Sequence, residues 1–570
     1  MGRAMVRCWC VHELVDRFFG LWMEPSPLHV AHVLLVLLTT AFPRRSVLML
    51  ALAVRLTETA LRIPFVWDCD HWTQLMDSGM LTLCLLATLR GALGRWGGDE
   101  VGPVVAQAWA LTSRWQLVLF YFAAGFWKIN SSFFDPTTSC APMFVLVLLS
   151  AFGVPVPDLL LPLVARSAAF ITVAGEMAIS GLLASRSLLL RRLAVCLAIL
   201  LHAGIALTPA PNNAVPFSVA CAVRLMMTMP RGLAALAEET AGAGLKAALT
   251  AALASAAAAA GTAFAHNRAL RHPPMPGAAV DFPIWVTAYC ILGVYALRVA
   301  MLEPADAGAP AGAARAVGAA PATPPAPSPP ESRAVRWVFV SLAAVYCFAL
   351  PALGLQDQGA PNMYSNLRMH GGSNHYLVPH LDLIRFAMPA EEARRAFAIV
   401  RVEAVTSEWI NSIYPGELTL SMSPGERALL SRANHTARMF NAMKARVLGP
   451  WVVPPPPAGA PVRYSLPALE LRRVLAEARE RNEAFAMRYT ELHGMEGDED
   501  WRRASAGRVV QLREFGDGRR ECKLKGGGEC AEDELCNLPP PVWWARKWLI
   551  QQPYPILEGD QRAELTCFGP

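Results

Sequence analysis

Two stretches of this chain, Ala247–Ala265 and Trp337–Leu355, each run for 19 residues without a single charge. Inside a bilayer every backbone polar group must be satisfied by the chain itself, and about 20 apolar residues wound as a helix do this while crossing the hydrocarbon. Such stretches fit an ordinary soluble domain poorly. Composition agrees: 54% of the 570 residues are hydrophobic, only 17% are charged, and the mean hydropathy is +0.32. Shorter or interrupted apolar runs occur at Leu28–Phe42, Val47–Ile63, Leu75–Leu93, Val101–Trp127, Met143–Ala165, Ala168–Leu190, Leu193–Leu207, Ala214–Met229 and Pro283–Leu302. Several of these merge or re-enter, so the expectation is a polytopic α-helical membrane protein of about nine spans, in contact with membrane lipid.

The organisation follows from where the apolar character stops. Residues 1–302 form a helical transmembrane core. Residues 303–334 are rich in Pro, Ala and Gly and lack periodicity, as a disordered linker does. A last span follows over 335–355. From Gln356 onward the chain turns polar, and 356–570 reads as a mixed α/β extramembrane domain. It has a strand-like stretch at Ala396–Val405 and amphipathic helical patterns at Pro424–Val447 and Ala468–His493. The N-terminus has no apolar run before Leu28, so it does not read as a cleaved signal peptide. Arg3, Arg7 and Arg17 favour a cytoplasmic start, against which Arg44 and Arg45 argue from the other end of the first span. A net charge of +6 gives no reason to invoke nucleic acid.

Nine of the 13 cysteines precede the C-terminal region, mostly among apolar residues. The other four, Cys522, Cys530, Cys536 and Cys567, lie in a polar, Gly-rich stretch. Their spacing matches no paired CxxC zinc knuckle, so disulfides in an oxidising lumen are the expectation, with no metal motif. Asn434-His435-Thr436 is a sequon usable if this domain is lumenal.

Ionisable groups within apolar runs are the candidates for chemistry, because hydrocarbon tolerates them only in a bundle interior or a cavity. Arg55 and Glu58 stand three apart, on one helical face, and can neutralise each other. Glu176 has no cation near it in sequence and must be protonated, paired with a distant helix or open to water. His71 lies between aromatic residues in Trp67-Asp68-Cys69-Asp70-His71-Trp72, and His202 lies deeper, in Ile199-Leu200-Leu201-His202. Lys128 closes the uncharged run Trp115–Trp127. At the end of a span a lysine snorkels to headgroups; desolvated, it becomes a base near neutral pH. After the last span comes a dense polar segment, Asn362 to Tyr376. Its Tyr364, Ser365, Asn366, Arg368, Asn374 and His375 can form either a turn-rich cap or the polar wall of a cavity.

The run Tyr121-Phe122-Ala123-Ala124-Gly125-Phe126-Trp127-Lys128, followed by Phe133-Phe134-Asp135, resembles the membrane motif of vitamin K-dependent γ-carboxylases and the related horizontally transferred transmembrane (HTTM) proteins. It departs from the carboxylases at Trp127, where they carry a second lysine. The resemblance implies an endoplasmic reticulum or other endomembrane enzyme of the carboxylase/lyase class. On this reading Lys128 deprotonates vitamin K hydroquinone, His71 and His202 support it, and oxygen and carbon dioxide are consumed in carboxylating a lumenal protein substrate. Two other readings stand beside it. One is a transport-type membrane protein in which Glu176, Arg55 and Glu58 line a polar path. The other is a scaffold that binds partners through 356–570.

Overall fold

The computed structural model describes residues 1–23, 26–62, 68–92, 99–135, 139–208 except 155 and 158, 215–271 except 243, 278–304 and 330–353. It also describes 360–362, 365, 367, 369, 373–378, 399–407, 410, 463–492, 508–531 except 517, 526 and 527, 536–537 and 556–558. The Pro/Ala-rich stretch 305–329, the pattern at Pro424–Val447, and the positions of Tyr364, Asn366, Arg368, Asn434 and Cys567 lie outside the described residues.

The described residues within 1–353 are mostly helical. The helices are α1 (Gly2–Met23), α2 (Pro27–Ala41), α3 (Arg45–Arg62), α4 (Asp68–Ala92), α5 (Pro103–Trp127), α6 (Ser131–Phe134) and α7 (Cys140–Ala151). They are followed by α8 (Leu161–Ala184), α9 (Leu188–Leu207), α10 (Val215–Met227), α11 (Pro230–Ala241), α12 (Leu245–Arg271), α13 (Ala278–Leu302) and α14 (Pro330–Ala344). Local chemistry sets several starts. Ser26 caps α2 by accepting the His29 N–H at 3.1 Å, with Pro27 at the first helical position where a missing N–H costs nothing. Asn130 caps α6 by accepting the Phe133 N–H at 2.8 Å.

Among the described residues five helical segments are long and apolar enough to cross a membrane: Pro162–Ala184, Leu188–Leu207, Leu245–His266, Phe282–Leu302 and Ser332–Ala352. The uncharged run Ala247–Ala265 lies within the third of these, and Trp337–Leu355 overlaps the fifth. A sixth crossing is available if α10 and α11, which meet at 95°, act as one broken span. The expected nine are not reached on length and apolarity. The reason is visible in the shortfall: α2 has only 15 residues, α3 carries Arg55 and Glu58, α4 carries Asp70 and Asp77, and α5 carries Arg114 and Gln116. Met143–Ala165 does not form one span either, because the chain leaves α7 at Gly153, which takes a left-handed φ of +69°.

The C-terminal region folds separately in sequence around a six-stranded antiparallel sheet, ordered β5-β4-β3-β1-β2-β6. Its strands are β1 (Ile399–Val405), β2 (Arg463–Pro467), β3 (Phe485–Leu492), β4 (Arg508–Glu514), β5 (Arg520–Leu524) and β6 (Ile556–Glu558). The expected strand at Ala396–Val405 is β1. The helical pattern at Ala468–His493 is only half helix: Ala468–Glu480 is helical, Asn482 turns through a φ of 55°, and the chain continues as β3. Phe485, Met487 and Tyr489 then alternate into a core shared with Leu471, Val474 and Val510.

Candidate functional site

The helical core holds a buried polar cluster where α1, α2, α3, α4 and α10 meet. Glu13 is its centre and is fully buried. His12 Nδ1 lies 3.0 Å from Glu13 Oε1, Arg55 Nε lies 3.3 Å from Oε2, and His32 Nε2 lies 3.6 Å from the same oxygen. Each of these partners is also fully buried. The other ring nitrogen of His12 receives the Arg224 Nε–H at 3.1 Å, and the Arg224 guanidinium donates as well to the Thr73 hydroxyl. Asp77 accepts the indole N–H of Trp9 at 2.9 Å, while Glu58 meets His29 Nδ1 at 3.2 Å. Arg55 is steadied within its own helix by the Thr59 hydroxyl at 3.0 Å. Among the described residues no hydrogen bond reaches Glu13 Oε2 or Asp77 Oδ2. Arg55 and His32 face Glu13 Oε2 as ion-pair partners, whereas a buried carboxylate oxygen with no hydrogen bond, as at Asp77, is expensive.

A second polar chain runs along α5. The Tyr121 hydroxyl sits 2.8 Å from His202 Nε2, and His202 Nδ1 lies 3.3 Å from the Ser218 hydroxyl on α10. Seven residues further along α5, about two helical turns, Lys128 Nζ donates to Glu176 Oε1 on α8 at 3.0 Å and to the Ala124 carbonyl at 3.1 Å. Both side chains of that ion pair are buried. Glu176 is therefore paired with a distant helix, one of the three options the sequence left. His71, in the first turn of α4, has its ring 6.3 Å from that of Tyr346. Lys128, His202 and His71 are thus each held by a different partner.

The polar segment after the last span packs on the end of α5. The Ser131 N–H donates to the Asn374 carbonyl at 3.0 Å, and the Tyr376 N–H to the Ile129 carbonyl at 3.1 Å. Asn130 Nδ2 reaches the Ser365 carbonyl at 2.7 Å, and Asn374 Nδ2 reaches the Ser132 hydroxyl at 3.0 Å. His375 Nε2 lies 2.9 Å from the Phe126 carbonyl, while its Nδ1 accepts the Leu377 N–H at 3.1 Å. The accepting Nδ1 fixes a neutral imidazole, protonated on Nε2. Burial pushes its pKa down, opposed in part by the Phe126 carbonyl. Ser365, Asn374 and His375 thus form a hydrogen-bonded strap over the Lys128 end of α5. Trp127 adds to this end: its indole donates at 2.7 Å to the Cys347 carbonyl, inside the π-helical turn Val345–Ala349 that follows α14. A π turn loosens the regular ladder, and here a side chain takes up a carbonyl.

Of the four C-terminal cysteines, Cys522 and Cys530 form a disulfide, and the Cys536 sulfur lies 2.6 Å from that of Cys522. The three sulfurs lie within 4.8 Å of one another.

The sequence reading found Arg55, Glu58 and Glu176 but passed over His12, Glu13, His29, His32, Asp77 and Arg224. The signal was present for α1: His12-Glu13 follows the apolar Val6 and Trp9 at helical spacing. His12 and Glu13 precede the first apolar run at Leu28, so no hydrophobic stretch around them marks them as candidates.

Residues 373–547 match DUF8388, a domain of unknown function. No curated protein and no solved structure matches the chain. These findings overturn the resemblance to γ-carboxylases and HTTM proteins, since no match to either group accompanies the DUF8388 match. The structure supplies a physical reason for the misleading motif. A Cβ at Gly125 would lie 2.9 Å from Met177 and 3.3 Å from the Val173 carbonyl, so the small residue lets α5 approach α8 closely. Lys128, one turn on, pairs with Glu176 across the same contact. Helix packing therefore accounts for Ala-Gly-x-x-Lys. The DUF8388 match begins at Ser373, the first residue of the described strap segment 373–378.

Proposed function

We propose that the chain is a transport-type membrane protein in which the Glu13 cluster takes up and releases a proton. The observation that carries this reading is Glu13 itself, a carboxylate fully buried among helices and approached by His12, His32 and Arg55. Imidazoles beside a carboxylate can pass a proton between them, and ionisable residues buried in a helical membrane core mark such paths. The broken α10–α11 pair supports the same reading. Arg224 projects from its first half into the cluster, and transporters build their sites on interrupted helices of this kind.

On this reading α3, α4 and α5 also cross the bilayer, which with the five long helices and the bent pair makes nine spans. Their 18, 25 and 25 residues suffice in length. Leu50, Leu61, Leu85, Leu89 and Phe122 are exposed on them as a lipid-facing surface requires, while Arg55, Glu58 and Asp77 are buried. The polar region from Gln356 lies outside the bilayer, on the lumenal or extracytoplasmic side, where its disulfide is stable.

Proteoliposomes holding a pH-sensitive dye test the proposal. Under an imposed potassium diffusion potential the native protein dissipates a pH gradient, and Glu13→Gln slows this at least tenfold while Glu13→Asp retains it. Monodisperse elution and native helicity of each variant keep misfolding separate from loss of transport. A native protein that moves no protons, or a Glu13→Gln variant as fast as native, overturns the reading.

A further inference from the structure

The three C-terminal sulfurs are gathered by a scaffold that holds each in a different way. Cys522 lies mid-strand on β5, paired in register with Leu512 of β4. The chain turns after Leu524, whose N–H donates to the Gly528 carbonyl at 2.7 Å, and returns so that the Cys530 N–H donates to the Cys522 carbonyl at 3.2 Å. Cys530 thus lies on the outer side of an edge strand, between exposed Glu529 and Ala531. Cys536 is buried in the sheet core. Its carbonyl is clamped by Arg479 at 3.0 Å and by Arg520 at 3.1 Å, and Glu514 Oε1 holds both guanidiniums at 2.8 Å. The Cys536 sulfur lies 2.6 Å from Cys522, the sulfur already bonded to Cys530.

A thiol against one sulfur of a disulfide is the reactant arrangement for thiol–disulfide exchange, whose rate depends on which sulfur can be attacked and on access. We propose that Cys522, Cys530 and Cys536 form an exchange centre that carries a buried thiol to the edge of the domain. Cys536 gives up its proton and its thiolate attacks Cys522 Sγ. The Cys522–Cys536 bond forms as the Cys522–Cys530 bond breaks, and Cys530 leaves with the electron pair and takes up a proton. One disulfide and one thiol exist before and after, so no oxidant or reductant is consumed. What changes is position: the thiol moves from the core to a half-buried site beside an exposed turn, where it can enter mixed disulfides with thiols or disulfides in the surrounding solution.

The test uses the full chain in detergent, without reductant, incubated at pH 8 with oxidised glutathione and then quenched in acid. Digestion with trypsin and a glutamyl endopeptidase cuts after Glu529, Glu532 and Glu534, so Cys530 and Cys536 fall on separate peptides. Mass spectrometry is expected to find the Cys522–Cys536 linkage together with glutathione on Cys530 in the native protein. Cys536→Ser, which retains Cys522–Cys530 and has no thiol in the triad, is expected to lose at least nine-tenths of that modification. Cys530→Ser is expected to hold the Cys522–Cys536 linkage alone. A single Cys522–Cys530 linkage with glutathione absent from Cys530 overturns the proposal. So does a Cys536–Cys567 disulfide, or three reduced cysteines carrying one zinc per chain by elemental analysis.

Discussion

Lys128 and Glu176 form a buried ion pair across the contact of α5 with α8, with Nζ and Oε1 3.0 Å apart. The two helices also meet at Gly125, where there is no room for a side chain. Glu176 Oε1 and the Ala124 carbonyl both accept from the Lys128 amine, so its donors are committed to contacts within and between the helices. Lys128 thus cross-links the end of α5 to α8.

That assignment predicts a specific energetic pattern. Removing one partner leaves the other charge buried, at a cost of about 3–5 kcal/mol, whereas replacing both with apolar side chains of similar volume is close to neutral. Lys128→Met and Glu176→Leu should each lower the thermal midpoint in detergent substantially, and the double variant should recover most of the loss. Additive losses in the double variant would show that the two side chains are not coupled.

Helix content was legible in the sequence because it depends on short-range apolar pattern: the run Ala247–Ala265 lies within Leu245–His266, and Trp337–Leu355 overlaps Ser332–Ala352. The Glu13 cluster was not legible, because it is assembled by contacts between residues far apart in sequence. His12 meets Arg224 across 212 positions and Trp9 meets Asp77 across 68. Nothing local marks His32 as a neighbour of Glu13. The β3 strand was missed for a local reason: apolar residues at Phe485, Met487 and Tyr489 alternate, but the preceding helix had already set a longer period that the eye continued.

Close helix approach makes a second prediction. A Cβ at Gly232 of α11 would sit 2.2 Å from the Val299 carbonyl oxygen and 2.9 Å from the Glu303 N–H nitrogen, both backbone atoms of the α13 end. The Gly232 N–H also donates to Glu303 Oε2 at 2.6 Å, so the two segments cannot separate without losing that bond. Overpacking typically costs about 1–3 kcal/mol when neighbours yield, and backbone yields least. Gly232→Ala should therefore destabilise by the upper end of that range or more. Gly175→Ala, with nothing within 4 Å of its Cβ, should leave the detergent melting temperature unchanged.

The strap over the end of α5 carries a pH dependence. His375 is neutral in the fold, its Nδ1 accepting the Leu377 N–H, and burial lowers its pKa below the ordinary histidine value. A histidine with a lowered folded pKa binds its proton more readily once released, so acid favours release. Its contribution is complete above the ordinary value near 6.5 and is lost as pH falls below that value. Hydrogen exchange of 373–378 in the full chain, corrected for the intrinsic pH effect, should quicken relative to α5 between about pH 7 and pH 5. In His375→Gln, which has no group that titrates there, the relative rates should hold steady. An equal response in both proteins would remove His375 as the cause.

The turn at Asn482 decides where the C-terminal helix gives way to sheet. Its φ of 55° is left-handed, a region that costs other L-residues about 1–2 kcal/mol and that asparagine and glycine enter most easily. The Asn482 N–H donates to the Arg479 carbonyl at 2.9 Å and the Glu483 N–H to the Ala478 carbonyl at 3.1 Å, closing the last helical turn. Two residues later Phe485 enters the core, so a shift of the turn by one position would send Phe485, Met487 and Tyr489 to the wrong face. Asn482→Gly should keep the domain as stable as native, because glycine meets the same φ without strain. Asn482→Val should destabilise it by about 1–2 kcal/mol or more, since a branched Cβ fits that region worst. Protection of the β3 amides against hydrogen exchange in the full chain reads the difference directly. Equal protection in the glycine and valine variants would mean that the sheet, rather than the turn, sets the register.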